Sequence, residues 1–95
     1  MSLQSAVRFT FDPNKAAANL AKHGVAFGSV RDIDWSVAVV FADVRFAYPE
    51  PRLMALAPIG SRLHALVFSV ERRAVRIISL RKASNREIAR YEASF

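Results

Sequence analysis

The sequence predicts an α+β domain, an antiparallel sheet of a four-strand meander plus a short N-terminal strand, with two N-terminal helices and one C-terminal helix. Three observations carry that prediction: helix-boundary residues around Pro13 to His23, four β-rich runs joined by short breaks from Val37 onward, and a capping-box pattern at Ser84. The length of 95 residues fits a single domain over residues 1–95, since a chain of this size builds one core. A hydrophobic fraction of 53% with only 3 Gly and 4 Pro sets it apart from disordered chains.

Val7, Phe9 and Phe11 alternate with Arg8 and Thr10, the period of two expected of a short half-buried strand. A helix follows: Asp12 suits the N-cap, Pro13 the first helical position, and Gly24 the left-handed residue after the end. On its surface Ala16 and Leu20 share one face, expected to be core, while Lys15, Asn19 and His23 repeat on a polar face beside Lys22. A second, shorter helix is expected from about Phe27 to Asp34, with Phe27, Val30 and Ile33 inward.

Four strands are expected next, over Val37 to Phe46, Arg52 to Leu56, Arg62 to Ser69 and Ala74 to Leu80. Pro49 and Pro51 break the first pair, Gly60-Ser61 turns the second, and Glu71-Arg72-Arg73 is a polar connection without a strong turn signature. Such short links favour an antiparallel meander over crossover units. Ser84 with Glu87 opens the last helix, on which Ile88, Tyr91 and Phe95 are expected to pack on the sheet and Arg86 and Arg90 to stay exposed.

Composition narrows the function classes. The chain has no cysteine, so neither a disulfide framework nor a thiolate zinc site can brace it. It has no apolar run approaching the ~20 residues of a membrane span and no signal-peptide layout, and a cytoplasmic location without membrane association is expected. The formal charge of +6 points to phosphate-bearing or acidic partners. Residues 71–95 concentrate it, with seven basic side chains (Arg72, Arg73, Arg76, Arg81, Lys82, Arg86, Arg90) against Glu71, Glu87 and Glu92.

In this order, Phe11-Asp12-Pro13 with Lys15, Asn19, Lys22-His23-Gly24-Val25 and Phe27, then Asp43, Arg45, Tyr48, Glu50 and Arg52, then Arg76-Ile77-Ile78-Ser79, Arg81-Lys82-Ala83, Glu87 and Tyr91-Glu92, the chain resembles the BrnT toxins of type II toxin–antitoxin modules. The resemblance spans nearly the whole chain. It implies a RelE-like fold, cleavage of RNA with arrest of translation, and neutralisation by a cognate DNA-binding, BrnA-like antitoxin. A homodimer or a toxin–antitoxin hetero-oligomer is compatible with it. The chain departs from the family pattern at Tyr48-Pro49-Glu50-Pro51-Arg52, where two prolines stiffen a loop that usually carries glycine and acidic residues, and at Ala57, where glycine is common.

Cleaving RNA without a metal requires a deprotonated 2′-hydroxyl, a stabilised phosphorane and a protonated leaving oxygen. The candidate catalytic residues are His23, Glu50, Arg52 and Arg81; the candidate RNA-binding residues are Lys15, Lys22, Arg45, Arg76 and Lys82. No cofactor and no metal is expected, because His23 and His64 show no metal-ligand spacing.

Each candidate has a bland alternative. His23 titrates near neutrality but could instead meet the last carbonyls of its helix. Asp43 and Arg45, two apart in a strand, could be half of a phosphate site or an ion pair. Glu50 could act as base and Arg52 could grip phosphate, or both could be solvated surface. Arg76 and Arg81 are an odd number apart, so a regular strand would turn them to opposite faces unless it stopped near Leu80. Trp35 is read as packing and His64 as a strand-surface or satisfied core histidine. A non-catalytic nucleic-acid-binding or antitoxin-binding domain is the alternative to a ribonuclease.

Overall fold

The computed structural model describes residues 8–95, so Val7 of the expected first strand lies outside the described residues. The elements are β1 (Arg8–Thr10), α1 (Pro13–His23), two 3-10 segments (Phe27–Asp32 and Trp35–Val37), β2 (Val39–Ala42), β3 (Leu53–Ile59), β4 (Arg62–Glu71), β5 (Ala74–Lys82) and α2 (Asn85–Glu92). The strands form one five-stranded sheet in the order β1-β5-β4-β3-β2.

The four-strand meander is antiparallel, but β1 runs parallel to β5, so the sheet is mixed rather than antiparallel throughout. Its direction follows from connectivity. β1 reaches the sheet through the whole intervening chain, so no tight hairpin forces it to be antiparallel. The helix layout also differs from expectation: the second helix is a 3-10 segment ending at Asp32, and another 3-10 turn takes up Val37, where a strand was expected to begin.

The helix boundaries follow from their signals. Asp12 accepts from the Asn14 amide at 2.8 Å, Pro13 begins α1, and Gly24 takes φ 71° past its end. α2 carries the full capping box, with the Ser84 hydroxyl accepting from the Glu87 amide and the Glu87 carboxylate accepting from the Ser84 amide. No helix among the described residues is long and apolar enough to cross a membrane.

The sheet packs on both faces. Val25, Phe27, Val30 and Ile33 lie over Ala55, Ala57, Leu66, Phe68, Ile77 and Leu80, with Trp35 edge-on to Phe68. The opposite face holds Met54, Leu56, Ala65 and Val67, against which Phe41, Ile78 and Tyr91 of α2 pack. Tyr91 also donates to the Val37 carbonyl at 2.7 Å, pinning α2 near the start of β2. Phe95, expected on the sheet, is 77% exposed and meets only the edge of Tyr91 in a ring pair.

On α1, Ala16 packs against the core and Lys15 is exposed as expected, but Leu20 and Asn19 exchange places. Leu20 is 50% exposed, whereas Asn19 is 7% exposed. Asn19 is held by polar contacts: its amide nitrogen donates to the carbonyls of Val25 and Leu80, and its carbonyl oxygen accepts from the Leu80 amide. The first meander strand is shorter than expected because the chain folds back after Ala42, where Asp43 takes bonds from Arg45 and Tyr48.

Candidate functional site

The site begins with an irregularity in β5. Val67 pairs with Ser79 while its neighbour Phe68 pairs with Ile77, leaving Ile78 as an extra residue in β5. A bulge of this kind shifts the side-chain alternation by one. β5 does run on through Lys82, so early termination is not what reconciles the two arginines. The bulge does: Arg81 pairs with Ala65 and Arg76 with Ser69, and Ala65, Val67 and Ser69 alternate regularly along β4. Paired residues share a face, so Arg76 and Arg81 both lie on the α2 side of the sheet, contrary to the parity expectation.

On that face α2 covers one half, over Leu56, Ala65, Met54 and Val67. The other half carries a polar row. The register pairs Leu53 with Phe68, which places Arg52 beside Ser69; Ser69 pairs with Arg76, and Arg76 with Thr10. Asp43 completes the row through its amide bond to the Arg52 carbonyl at 2.9 Å. The row thus reads Asp43, Arg52, Ser69, Arg76, Thr10, running from the residues adjoining β2 and β3 across β4, β5 and β1.

Asp43 is 5% exposed and organises one end of it. Arg45 grips its carboxylate through Nε at 2.8 Å and a terminal nitrogen at 2.9 Å, and the Tyr48 hydroxyl donates at 2.9 Å. The Arg45 hydrogen bonds lower the Asp43 pKa to about 2 against the opposing effect of burial, and the pair raises that of Arg45. Asp43 with Arg45 is therefore an ion pair. The Tyr48 ring in turn lies 4.2 Å beneath the Arg52 guanidinium.

Two buried polar atoms in the row, Arg52 Nε and Ser69 Oγ, have no hydrogen-bond partner. Arg76 shares a shallow hollow with Arg8, Thr10, Glu71 and Arg72, and Glu50 lines a second one with Asp43, Tyr48 and Arg52. Along the α2 border, Arg86 and Arg90 line a groove with Asp43 and Arg45, and Arg90 sits 3.5 Å over the Phe41 ring. Ser69 is the residue sequence reasoning missed. Its signal was a lone hydroxyl in the apolar run Leu66-Val67-Phe68-Ser69-Val70.

The remaining candidates sit elsewhere. Arg81 forks onto Glu87, Nη1 to Oε1 at 2.6 Å and Nη2 to Oε2 at 2.9 Å, and that hydrogen bonding lowers the Glu87 pKa to about 2. His23, at the end of α1, has its pKa lowered by burial and by the charges of Lys22 and Arg81, so it lies toward the C-terminal end of β5. Lys82 is opposite His64, whose Nδ1 donates to the Arg62 carbonyl at 2.8 Å; His64 is a satisfied buried histidine. Lys15 is exposed on α1. The structure thus brings Arg45, Glu50, Arg52 and Arg76 to the open half-face, and His23, Lys22, Arg81 and Lys82 to the far end of β5. Among the described residues, no group of three or more His, Cys, Asp or Glu side chains is placed to hold a metal ion.

No curated protein matches the sequence. The family model for the ribonuclease toxin BrnT of type II toxin–antitoxin systems matches residues 11–87, which takes in α1, the whole meander, the polar row from Asp43 to Arg76 and the Arg81–Glu87 fork. The chain belongs to the BrnT family of ribonuclease toxins, a membership that implies an antitoxin partner and an RNA substrate.

Proposed function

We propose that this protein is a metal-independent endoribonuclease that cuts RNA on the open half of the α2-side sheet face, arrests translation and is neutralised by an antitoxin that covers the same cationic surface. One observation carries the reading: Arg52 and Arg76 share a polar row that α2 leaves uncovered, with Arg86 and Arg90 along its border and Glu50 at its rim. Two guanidiniums on one surface present forked donors to phosphate oxygens and stabilise charge that builds on them.

In the reaction this geometry supports, Glu50 takes the proton of a ribose 2′-hydroxyl, O2′ attacks the adjacent phosphorus, and the P–O5′ bond breaks, leaving a 2′,3′-cyclic phosphate. The leaving 5′-oxygen takes its proton from solvent water. Arg52 and Arg76 hold the phosphorane charge. Lys22, Lys82 and Lys15, with His23, lie away from this row and add contacts to the RNA backbone through charge.

The test is incubation of the purified protein with RNA in excess chelator, followed by gel separation and detection of cyclic-phosphate ends. Cleavage with such ends is expected, together with its loss in Glu50→Gln and Arg76→Ala. Loss of cleavage on adding chelator would sink metal independence. A second reading, RNA or antitoxin binding without cleavage, is favoured by the engagement of Arg81 with Glu87, which ties up a candidate catalytic guanidinium. Salt-sensitive RNA binding with no cut product under any condition would select it.

A further inference from the structure

We propose that Ser69, flanked by Arg52 and Arg76, forms a phosphodiester subsite in which its hydroxyl donates to a non-bridging phosphate oxygen. The inference rests on the RNA-directed reading above and adds to it a residue that neither the charge distribution nor the family motif singled out.

Ser69 is 4% exposed in the middle of a core strand, and its hydroxyl has no partner. A buried hydroxyl without a hydrogen bond opposes folding, and alanine at that position would suit the strand better. The adjacent position in the cross-strand row supplies the second such atom, Arg52 Nε. Among the described residues, both unpartnered buried side-chain atoms therefore fall on neighbouring positions of one face, beside a third donor, Arg76. All three groups can donate, and what satisfies three neighbouring donors is an anion with several acceptor oxygens.

The surroundings limit the choice of anion. Asp43, the carboxylate of the row, is engaged by Arg45 and Tyr48 and does not compete for Arg52. Tyr48 supports one face of the Arg52 guanidinium, a contact that leaves the donors on its edge unengaged. Glu71 lies one step further, in the hollow with Arg8, Arg72 and Arg76, where the arginines outnumber it. Ser69 is 4% exposed, so phosphate reaches its hydroxyl as the neighbouring Arg52 and Arg76 side chains move onto the phosphate.

The experiment uses 15N-labelled full-length protein titrated with inorganic phosphate and with a 2′-O-methyl RNA hexamer, which lacks the nucleophile and stays intact. The Ser69 amide and the Arg52 Nε–H resonances are expected to shift. Ser69→Ala is expected to bind the hexamer about tenfold more weakly, the loss of one hydrogen bond to a charged group. Its Tm should rise by about 4 °C as the unpaired hydroxyl is removed. Its salt dependence should match the wild type, because the hydroxyl is neutral, whereas Arg76→Ala should reduce the salt slope by about one. Ser69→Thr, which keeps a hydroxyl, should retain binding.

Hexamer affinity of Ser69→Ala within twofold of wild type, or shifts confined to Lys22 and Lys82, would overturn the subsite. The two readings fail separately. If native RNA stays whole but the hexamer binds through Ser69, cleavage falls and the subsite stands. If Ser69→Ala cuts RNA as well as wild type, the subsite falls and cleavage stands.

Discussion

A single side chain, Asn19, takes both backbone hydrogen-bonding groups of Leu80, accepting from its amide at 3.2 Å and donating to its carbonyl at 2.8 Å. β1 stops opposite Arg76, so further along β5 no strand lies beyond Leu80 on that side. The Asn19 amide stands where the next strand would be. It fixes α1 to β5 and, through the Val25 carbonyl at 3.0 Å, fixes the chain that leaves α1.

Replacing Asn19 by Ala should therefore be among the costlier single changes in the protein. It strands a buried amide and two carbonyls, at about 1–3 kcal/mol for such a group, so a loss of about 3 kcal/mol is expected in urea denaturation. Asn19→Asp should cost at least as much, since a carboxylate oxygen would face the two carbonyls that the amide nitrogen now serves. A loss below about 1 kcal/mol for Asn19→Ala would show that water satisfies these groups.

Local signals were legible and long-range ones were not. Asp12, Pro13 and Gly24 bracketed α1 because a helix end is decided by residues next to it, and Ser84 with Glu87 marked α2 for the same reason. The exchange of Leu20 for Asn19 was hidden, since helical periodicity ranks side chains by polarity and cannot see an unpaired strand edge waiting for an amide. The Ile78 bulge was equally hidden: it changes no residue type, yet it turns Arg81 onto the face of Arg76. Part of the candidate site was visible as Arg45, Glu50, Arg52 and Arg76. Ser69 gained meaning only from its cross-strand neighbours.

The Arg81–Glu87 fork joins the end of β5 to the first turn of α2 while Glu87 also caps Ser84. Both side chains are mostly shielded, with 21% and 15% exposure. A double-mutant cycle of Arg81→Ala and Glu87→Ala should give a coupling of about 1–2 kcal/mol, with Glu87→Ala the more damaging single change because it also removes the cap. Arg81→Lys should recover only part, as an ammonium cannot make the two-point contact. A coupling near zero would free Arg81 to serve RNA.

Acid should weaken the fold through two carboxylates. The Asp43 pKa falls from 3.8 to about 2 under the Arg45 hydrogen bonds, and that of Glu87 from 4.5 to about 2 under those of Arg81. The unfolded chain thus binds protons first as pH drops, so the stability these groups contribute is complete above about 4.5 and is lost as pH falls toward 2. Urea midpoints measured across this range should decline in the wild type and more shallowly in Asp43→Asn and Glu87→Gln. Parallel slopes in all three proteins would place the titration elsewhere.

His23 tests the electrostatics at the far end of β5. Burial lowers its pKa from 6.5, and Lys22 and then Arg81 lower it further, so the neutral imidazole should dominate at pH 7. Because the unfolded chain protonates more readily, this histidine contributes stability above pH 6.5 that diminishes as pH falls below it. An NMR titration of the His23 ring should give a midpoint below 6.5 that moves upward in Lys22→Gln and in Arg81→Gln, more in the former. Arg81→Gln also releases Glu87, whose freed carboxylate would raise the midpoint further, so Glu87→Gln alone serves as the control: it should leave or lower the midpoint. A wild-type midpoint at or above 6.5, or one indifferent to both lysine and arginine replacement, would show that His23 lies outside the field of these cations and belongs to a different surface from Arg81.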